Sequence, residues 1–455
     1  MVTKTTLKRG KGIFYGWWIV LASVGIIWYG AGTFFYGFSI FFDPMLKEFG
    51  WSRATLSLGA SLQRLEGGLA APIVGILTDK YGPRKLMLFG VAVGGIGFFL
   101  LSRVNSPISF YIAMIVISLG LSSAMGVVSM AAVANWFVRK RGLALGIMTA
   151  GAAMGGTLAP VMVWLISRYG WRGTFIISGI GLWVVGIPLA AVVRHRPEQY
   201  GMLPDGDETP PDKQVPAAKG VEEDPPTAQR NAVPEEEAPQ ETEFTAWEAA
   251  RTPAFWLIPI AVGLSEVKSA AIVVHIVSYL TGIGISRNLA ALTLSAFTIS
   301  SLLGRVGLGY LGDMLDKRKA LAFSFLLQLV GLLILSYVNS PWMLIPFVLT
   351  YGPGYGGPIP LWRALQGDYF GRKSFGSIQG WMQSLRTAFQ VGGPFFAGWV
   401  FDVTGSYRPA FLFFAVTVII AIPVILFVKP PTHPSTSASR SQITDRAAAN
   451  EDHDS

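Results

Sequence analysis

Long apolar runs, separated by short polar and often basic connections, dominate the chain. They fall at about 13–42, 54–77, 84–102, 108–136, 142–167 and 173–194, and again at about 253–279, 289–312, 320–338, 342–367, 375–399 and 408–428. At 1.5 Å per residue each run can cross a hydrocarbon layer of about 30 Å as a helix. The pattern predicts an all-α membrane protein with twelve transmembrane helices in two six-helix halves, 13–194 and 252–428. The remaining pieces are an N-terminal segment 1–12, a linker 195–251 and a tail 429–455. The first run is too long for the apolar part of a cleaved leader and lacks a small-residue cleavage site, so it is read as a retained helix.

Basic residues set the expected orientation, because lysine and arginine in short loops stay on the cytoplasmic side. Lys80, Arg84 and Lys85 join runs two and three, and Arg139, Lys140 and Arg141 join four and five. Lys317, Arg318 and Lys319 join eight and nine, and Arg372 and Lys373 join ten and eleven. Both termini and the linker then lie in the cytoplasm, which fits an inner or plasma membrane. The linker, rich in proline and glutamate and poor in large apolar residues, is expected to be disordered, as is the tail.

Composition narrows the function classes. The chain is 51% hydrophobic and 14% charged, and its net charge of +9 is explained by the basic loops rather than by nucleic-acid binding. With no cysteine, disulfides and thiolate chemistry are excluded. No metal cluster, nucleotide loop or nucleophile arrangement stands out, so neither an enzyme nor a cofactor is expected. The bilayer is an expected partner, and the expected working unit is a monomer.

The halves repeat. Gly75-x-x-x-Asp79 with Arg84 and Lys85 recurs as Gly309-x-x-x-Asp313 with Arg318 and Lys319. Trp136-Phe-Val-Arg-Lys140 recurs as Tyr369-Phe-Gly-Arg-Lys373, and Gly170-Trp-Arg172 as Ser406-Tyr-Arg408. A parallel six-plus-six repeat is a known transporter plan, with its substrate site near mid-membrane between the repeats. Inside the eighth run stands one arginine, Arg305. An arginine at the bilayer centre costs about 2.5–3.5 kcal/mol on insertion scales, so it belongs in a polar cavity. Its planar, permanently charged fork suits a carboxylate.

These residues resemble the major facilitator superfamily, whose loop signature around Asp79 is present in both halves. The resemblance implies that Asp79, Arg84, Asp313, Arg318 and Asp368 hold helix ends together on the cytoplasmic side and release them during transport. Within that superfamily, Gly16-Trp-Trp18, Trp136 to Gly151 and Arg251-Thr-Pro-Ala-Phe-Trp256 resemble the monocarboxylate transporters and the oxalate/formate antiporters. Arg305 then takes the place of the arginine that both groups use for the substrate carboxylate. Departures are Ser301, where the animal monocarboxylate transporters have an aspartate, and Tyr36, where they have a lysine. The second cation of the oxalate transporter falls at Leu385, with Arg386 next to it. The reading is a proton-coupled monocarboxylate transporter, with an anion antiporter or a carrier for an unrelated solute as alternatives.

Around Arg305, the further substrate-site candidates are Tyr36, Tyr355, Gln383 and Arg386. Glu266 and His275 are the proton-coupling candidates, and Glu266 could instead form a structural ion pair with Arg386 or Arg64. The stretch Gly352-Pro-Gly-Tyr-Gly-Gly-Pro358 in the tenth run is expected to bend or unwind, as a gate or as a passive kink.

Overall fold

The computed structural model describes residues 13–137, 140–206, 244–371 and 374–431. The first part contains α1 (Tyr15–Gly30), α2 (Phe38–Phe49), α3 (Arg53–Tyr81), α4 (Pro83–Ser102), α5 (Pro107–Ala124), α6 (Val127–Ala134), α7 (Arg141–Met154) and α8 (Ala159–Val192). The second contains α9 (Ala246–Ala250), α10 (Pro253–Gly282), α11 (Arg287–Leu303), α12 (Gly309–Met314), α13 (Lys317–Ser336), α14 (Leu344–Gly356), α15 (Pro358–Phe370), α16 (Phe375–Thr404) and α17 (Arg408–Phe427). No strand occurs among the described residues.

Eight stretches among these are long and apolar enough to cross a membrane. One of them, Leu143–Val192, holds two of the predicted runs, joined at Gly170, whose φ of 69° takes the chain out of helical geometry. Glycine adopts that conformation without the Cβ clash other residues suffer. The helices over the other three predicted runs, α3, α14 with α15, and α16, are not among the eight. They carry Arg64, Tyr355 and Arg363, and Gln383, Arg386 and Gln390. Several of these polar side chains, Arg64, Gln383, Arg386 and Gln390, join one hydrogen-bonded cluster.

Helix starts follow local chemistry. Ser106 and Thr245 each form a reciprocal capping box, with Ser109 and Glu248; Thr252 caps α10 with Pro253 in its first turn. The corner motif of the sequence repeat has matching structural jobs. Arg172 donates to the carbonyls of Ser102 and Val104 at 2.9 and 3.1 Å, while Arg408 lies over the Tyr337 ring, 4.1 Å from its centre. Another repeat, Val104-Asn-Ser-Pro107 and Val338-Asn-Ser-Pro341, escaped the sequence analysis although it precedes equivalent helices.

Packing divides the chain into two units, and the division does not follow the sequence repeat. One comprises Met1–Phe35, Leu69–Leu158 and Leu165–Val221; the other comprises Tyr36–Gly68, Ala159–Trp164 and Glu222–Ser455. The second therefore takes in α2 and most of α3, and every substrate-site and coupling candidate lies in it.

The linker boundaries also shift. Residues 195–206 and 244–251, expected to be disordered, are ordered, while 207–243 lie outside the described residues. The reason is docking at both ends. In the first unit Asp205 N–H donates to the Trp136 carbonyl and Asp205 Oδ1 accepts from Lys140 N–H, at 3.0 and 3.1 Å. In the second, Phe244 N–H donates to the Phe370 carbonyl at 3.1 Å and its ring meets the Phe370 ring edge-on.

Candidate functional site

Two interruptions of the α-helical ladder frame the site. Residues Ala31–Tyr36 and Gly304–Leu308 form π-helical turns, and these carry Tyr36 and Arg305. A π-turn inserts an extra residue and re-aims the side chains beside it, and such turns concentrate at functional sites. Tyr36 is buried and hydrogen-bonds Tyr355, with Arg305 and Arg64 in electrostatic range of its hydroxyl. The structure thus brings three sequence candidates into one region, the Tyr36–Tyr355 pair with the Arg305 guanidinium in electrostatic range of Tyr36.

The backbone of this region is set by small residues. A Cβ on Gly304 would run into the Pro353 carbonyl, one on Gly352 into Ser300, and one on Gly356 into the Ser301 carbonyl. Glycine in the tenth run therefore serves close approach of α14 to α11. The run stays helical to Gly356, and Gly357 keeps helical dihedrals (φ −59°, ψ −44°) and donates to the Pro353 carbonyl before α15, so the chain does not unwind there. Tyr355 is held by an edge-to-face contact with Phe297 and by stacking on Tyr351, at 5.9 and 6.2 Å between ring centres.

A second cluster adjoins the first. Arg386 donates to Glu266 at 2.9 Å and to Gln383 at 2.8 Å, and its guanidinium lies 5.1 Å from the centre of the Trp362 ring. Gln390 donates to the other Glu266 oxygen and accepts from Arg64 at 3.3 Å. Of the two alternatives for Glu266, the ion pair with Arg386 is present. Arg363 is in electrostatic range of Arg386, Glu266 and Arg305, which joins the clusters. Arg363, Gln390 and Gln328 were missed by the sequence analysis; the available signal was a polar side chain inside an apolar run.

His275 lies in a different setting. Its Nε2 faces the Pro394 carbonyl at 3.0 Å and Ser57 at 3.1 Å, and its Nδ1 faces the Tyr407 hydroxyl at 3.0 Å. The carbonyl only accepts, so Nε2 carries the hydrogen and Nδ1 accepts from Tyr407. Arg53 donates to that same hydroxyl at 2.9 Å, reaches Asp43 at 3.4 Å and stacks on Phe401, while Asp402 accepts from the backbone N–H groups of Arg53 and Ala54. The network ties α3 to α10, α16 and α17 away from Arg305.

At the loop ends, Lys317 pairs with Asp368 at 2.6 Å. Arg318 pairs with Asp316 and donates to the Val428 carbonyl. That guanidinium holds the Asp316 carboxyl below the usual carboxylate range. Arg84 is exposed in the first turn of α4. Asp79 and Asp313 lie in α3 and α12, and Asn135, the counterpart of Asp368, donates to the His195 carbonyl at 3.1 Å. Arg139, Arg372 and Lys373 lie outside the described residues. No group of side chains able to hold a metal occurs among the described residues.

The profile of the Major Facilitator Superfamily matches residues 22–281 and 269–450. This chain belongs to that superfamily. Monocarboxylate transporter 13 of Bos taurus is 25% identical over 439 residues, covering 92% of each chain. The uncharacterized MFS-type transporter YcxA of Bacillus subtilis is 25% identical over 409 residues, covering 86% of this chain and 90% of its own. Among solved structures, a bacterial homolog of the human lysosomal transporter Spinster superposes with a TM-score of 0.69 at 14% identity, covering 92% of this chain and 97% of the other. The nucleoside transporter NupG superposes at 0.67 with 12% identity, covering 91% and all of that chain. The superfamily membership and these folds make the chain an all-helical, multi-pass membrane transporter related to the monocarboxylate transporters.

Proposed function

We propose that this chain is a secondary transporter that moves a small monocarboxylate of the lactate or pyruvate type by alternating access, in symport with a proton. The observation that supports the reading is Arg305, carried on its π-turn and in electrostatic range of the Tyr36 hydroxyl, which pairs with Tyr355. A guanidinium fork with phenolic donors is suited to hold a carboxylate by charge-assisted bonds. The similarity to monocarboxylate transporter 13 of Bos taurus supports the same substrate class. An arginine does not surrender an anion readily, and a proton travelling with the substrate eases release.

The antiporter reading would use Arg386 as a second cation. Arg386 instead gives its charge to Glu266, which favours a singly charged substrate. The basic loops support a cytoplasmic location for both termini in a cell inner membrane, and the proposed working unit is a monomer. The loop residues around Asp79, Arg84, Asp313, Arg318 and Asp368 are proposed as the cytoplasmic gate, with Lys317 as the partner of Asp368.

The test is internal pH in protein-loaded vesicles after external L-lactate is added, with Arg305→Ala vesicles as the control and passive leak of the free acid subtracted. Acidification that needs both the protein and Arg305 is expected. A trace equal to the control, with labelled anion still exchanging for preloaded anion, would replace symport by antiport. Transport unchanged in Arg305→Ala would remove the site.

A further inference from the structure

The coupling proton needs a group that can take it up and give it away. Glu266 is held by Arg386 and Gln390, and both His275 nitrogens are engaged in the network around Tyr407. A third titratable group lies between them on α10, unused by the reading above. Lys268 is 0% exposed, and its amine donates to two neutral oxygens, the Ser265 carbonyl and Gln328 Oε1.

Two acceptors match the two N–H bonds of a neutral amine, whereas an ammonium has three donors. A lysine held by a carboxylate keeps its proton; one held by neutral oxygens in a dry site can exchange it. Glu266, two positions back, is the charged group whose field reaches Lys268, and residues two apart on a helix point in different directions. Arg386 and Gln390 of α16 engage Glu266, and Arg363 of α15 is in electrostatic range of that acid as well. From α14, the Tyr351 hydroxyl lies near Ser269; Asp43 of α2 meets α10 at Thr281, more than three turns further on.

The amine is also wired to the site. Gln328 donates through Nε2 to the Gly354 carbonyl at 2.8 Å, and Ser324 donates to the same oxygen at 2.8 Å. Gly354 precedes Tyr355, which hydrogen-bonds Tyr36 beside Arg305. A change of charge at Lys268 therefore acts on the backbone that aims Tyr355.

We propose that Lys268 is the proton-carrying residue of the transporter, coupled through Gln328 and Gly354 to the carboxylate at Arg305. This rests on the proton-symport reading and names its proton site. One proton from the outer solution converts the amine to ammonium; it leaves to the inner solution as the anion departs. Each ligand raises the affinity for the other, because the anion offsets the charge that the proton adds.

The test measures labelled L-lactate in vesicles in two modes: accumulation driven by an inward proton gradient, and exchange against internal lactate without a gradient. One-to-one symport concentrates the anion up to about tenfold per pH unit. Lys268→Met, which has no proton site, and Lys268→Arg, which keeps its proton, are each expected to retain exchange while accumulation falls to the level without a gradient. If Lys268→Met does not fold, Lys268→Gln, which keeps two N–H donors for the same acceptors, replaces it with the same expectation. Gradient-driven accumulation at the wild-type level in any of these variants overturns the proposal. Wild-type exchange without accumulation removes proton coupling, and this proposal with it, but leaves the carboxylate site. No exchange in wild type removes the carboxylate reading itself.

Discussion

Arg386 shows how much hangs on one step along a helix. From the sequence it stands beside the position of a second substrate cation; in the fold it is the counter-charge of Glu266, and the two side chains are only 13% and 11% exposed. Removing one partner of such a pair leaves a buried charge uncompensated, at a cost of about 3–5 kcal/mol. Glu266→Gln should therefore lower the thermal unfolding temperature of the purified protein markedly. Glu266→Gln with Arg386→Met should recover much of it; a double variant no more stable than the single one would argue against the pair. Tyr407 offers a second test. Its hydroxyl joins Arg53 to His275, and a hydrogen bond to a charged group contributes about 1.5–3 kcal/mol. Tyr407→Phe should lose about that much in denaturant unfolding, with the ring contacts to Phe401 and Phe411 kept.

Among the elements, the π-turn of Arg305 was illegible in the sequence, because apolar periodicity over five residues cannot separate a π-turn from an α-turn. Its glycines do give a test. A Cβ at Gly304 meets the Pro353 carbonyl, a backbone atom that cannot swing away, whereas a Cβ at Gly307 in the same turn meets open space. Gly304→Ala should reduce folded yield and thermal stability, by about 1–3 kcal/mol if α14 shifts to accept it, and Gly307→Ala should leave both near wild type. Equal behaviour of the two would mean that helix propensity, rather than close approach, explains Gly304. The tenth run teaches a related lesson. Its glycines and prolines read as a broken helix, yet α14 remains continuous to Gly356 because the glycines fill a packing role against α11 and α13.

Across the whole molecule, the repeat is visible in jobs as well as letters. Trp136 and Phe370 each accept a backbone hydrogen bond from an end of the central segment, Asp205 and Phe244. Below these loops the charge arrangement is unequal, since Asp368 pairs with Lys317 while its counterpart Asn135 bonds a carbonyl. Asp316 supplies a pH test. Because Arg318 depresses its folded-state pKa, the stability it contributes is present above the ordinary carboxylate pKa and is lost as pH falls through the depressed value. Asp316→Asn should flatten the acid limb of the stability profile below about pH 4 and lower stability at neutral pH; an unchanged acid limb would show that the pair is inert.

The sequence alone was enough for the membrane class, the repeated motifs and the family resemblance, and it singled out Arg305 as a candidate. Those follow from run length, loop charge and the cost of a lone arginine in an apolar helix, all of which are local. Tertiary structure decided which polar groups meet: Arg386 with Glu266, His275 with Tyr407, Lys268 with Gln328, and Tyr36 with Tyr355. Partners 60 to more than 300 residues apart leave no local trace. Which face of a helix a side chain takes depends on π-turns and glycine contacts that hydrophobic periodicity does not encode.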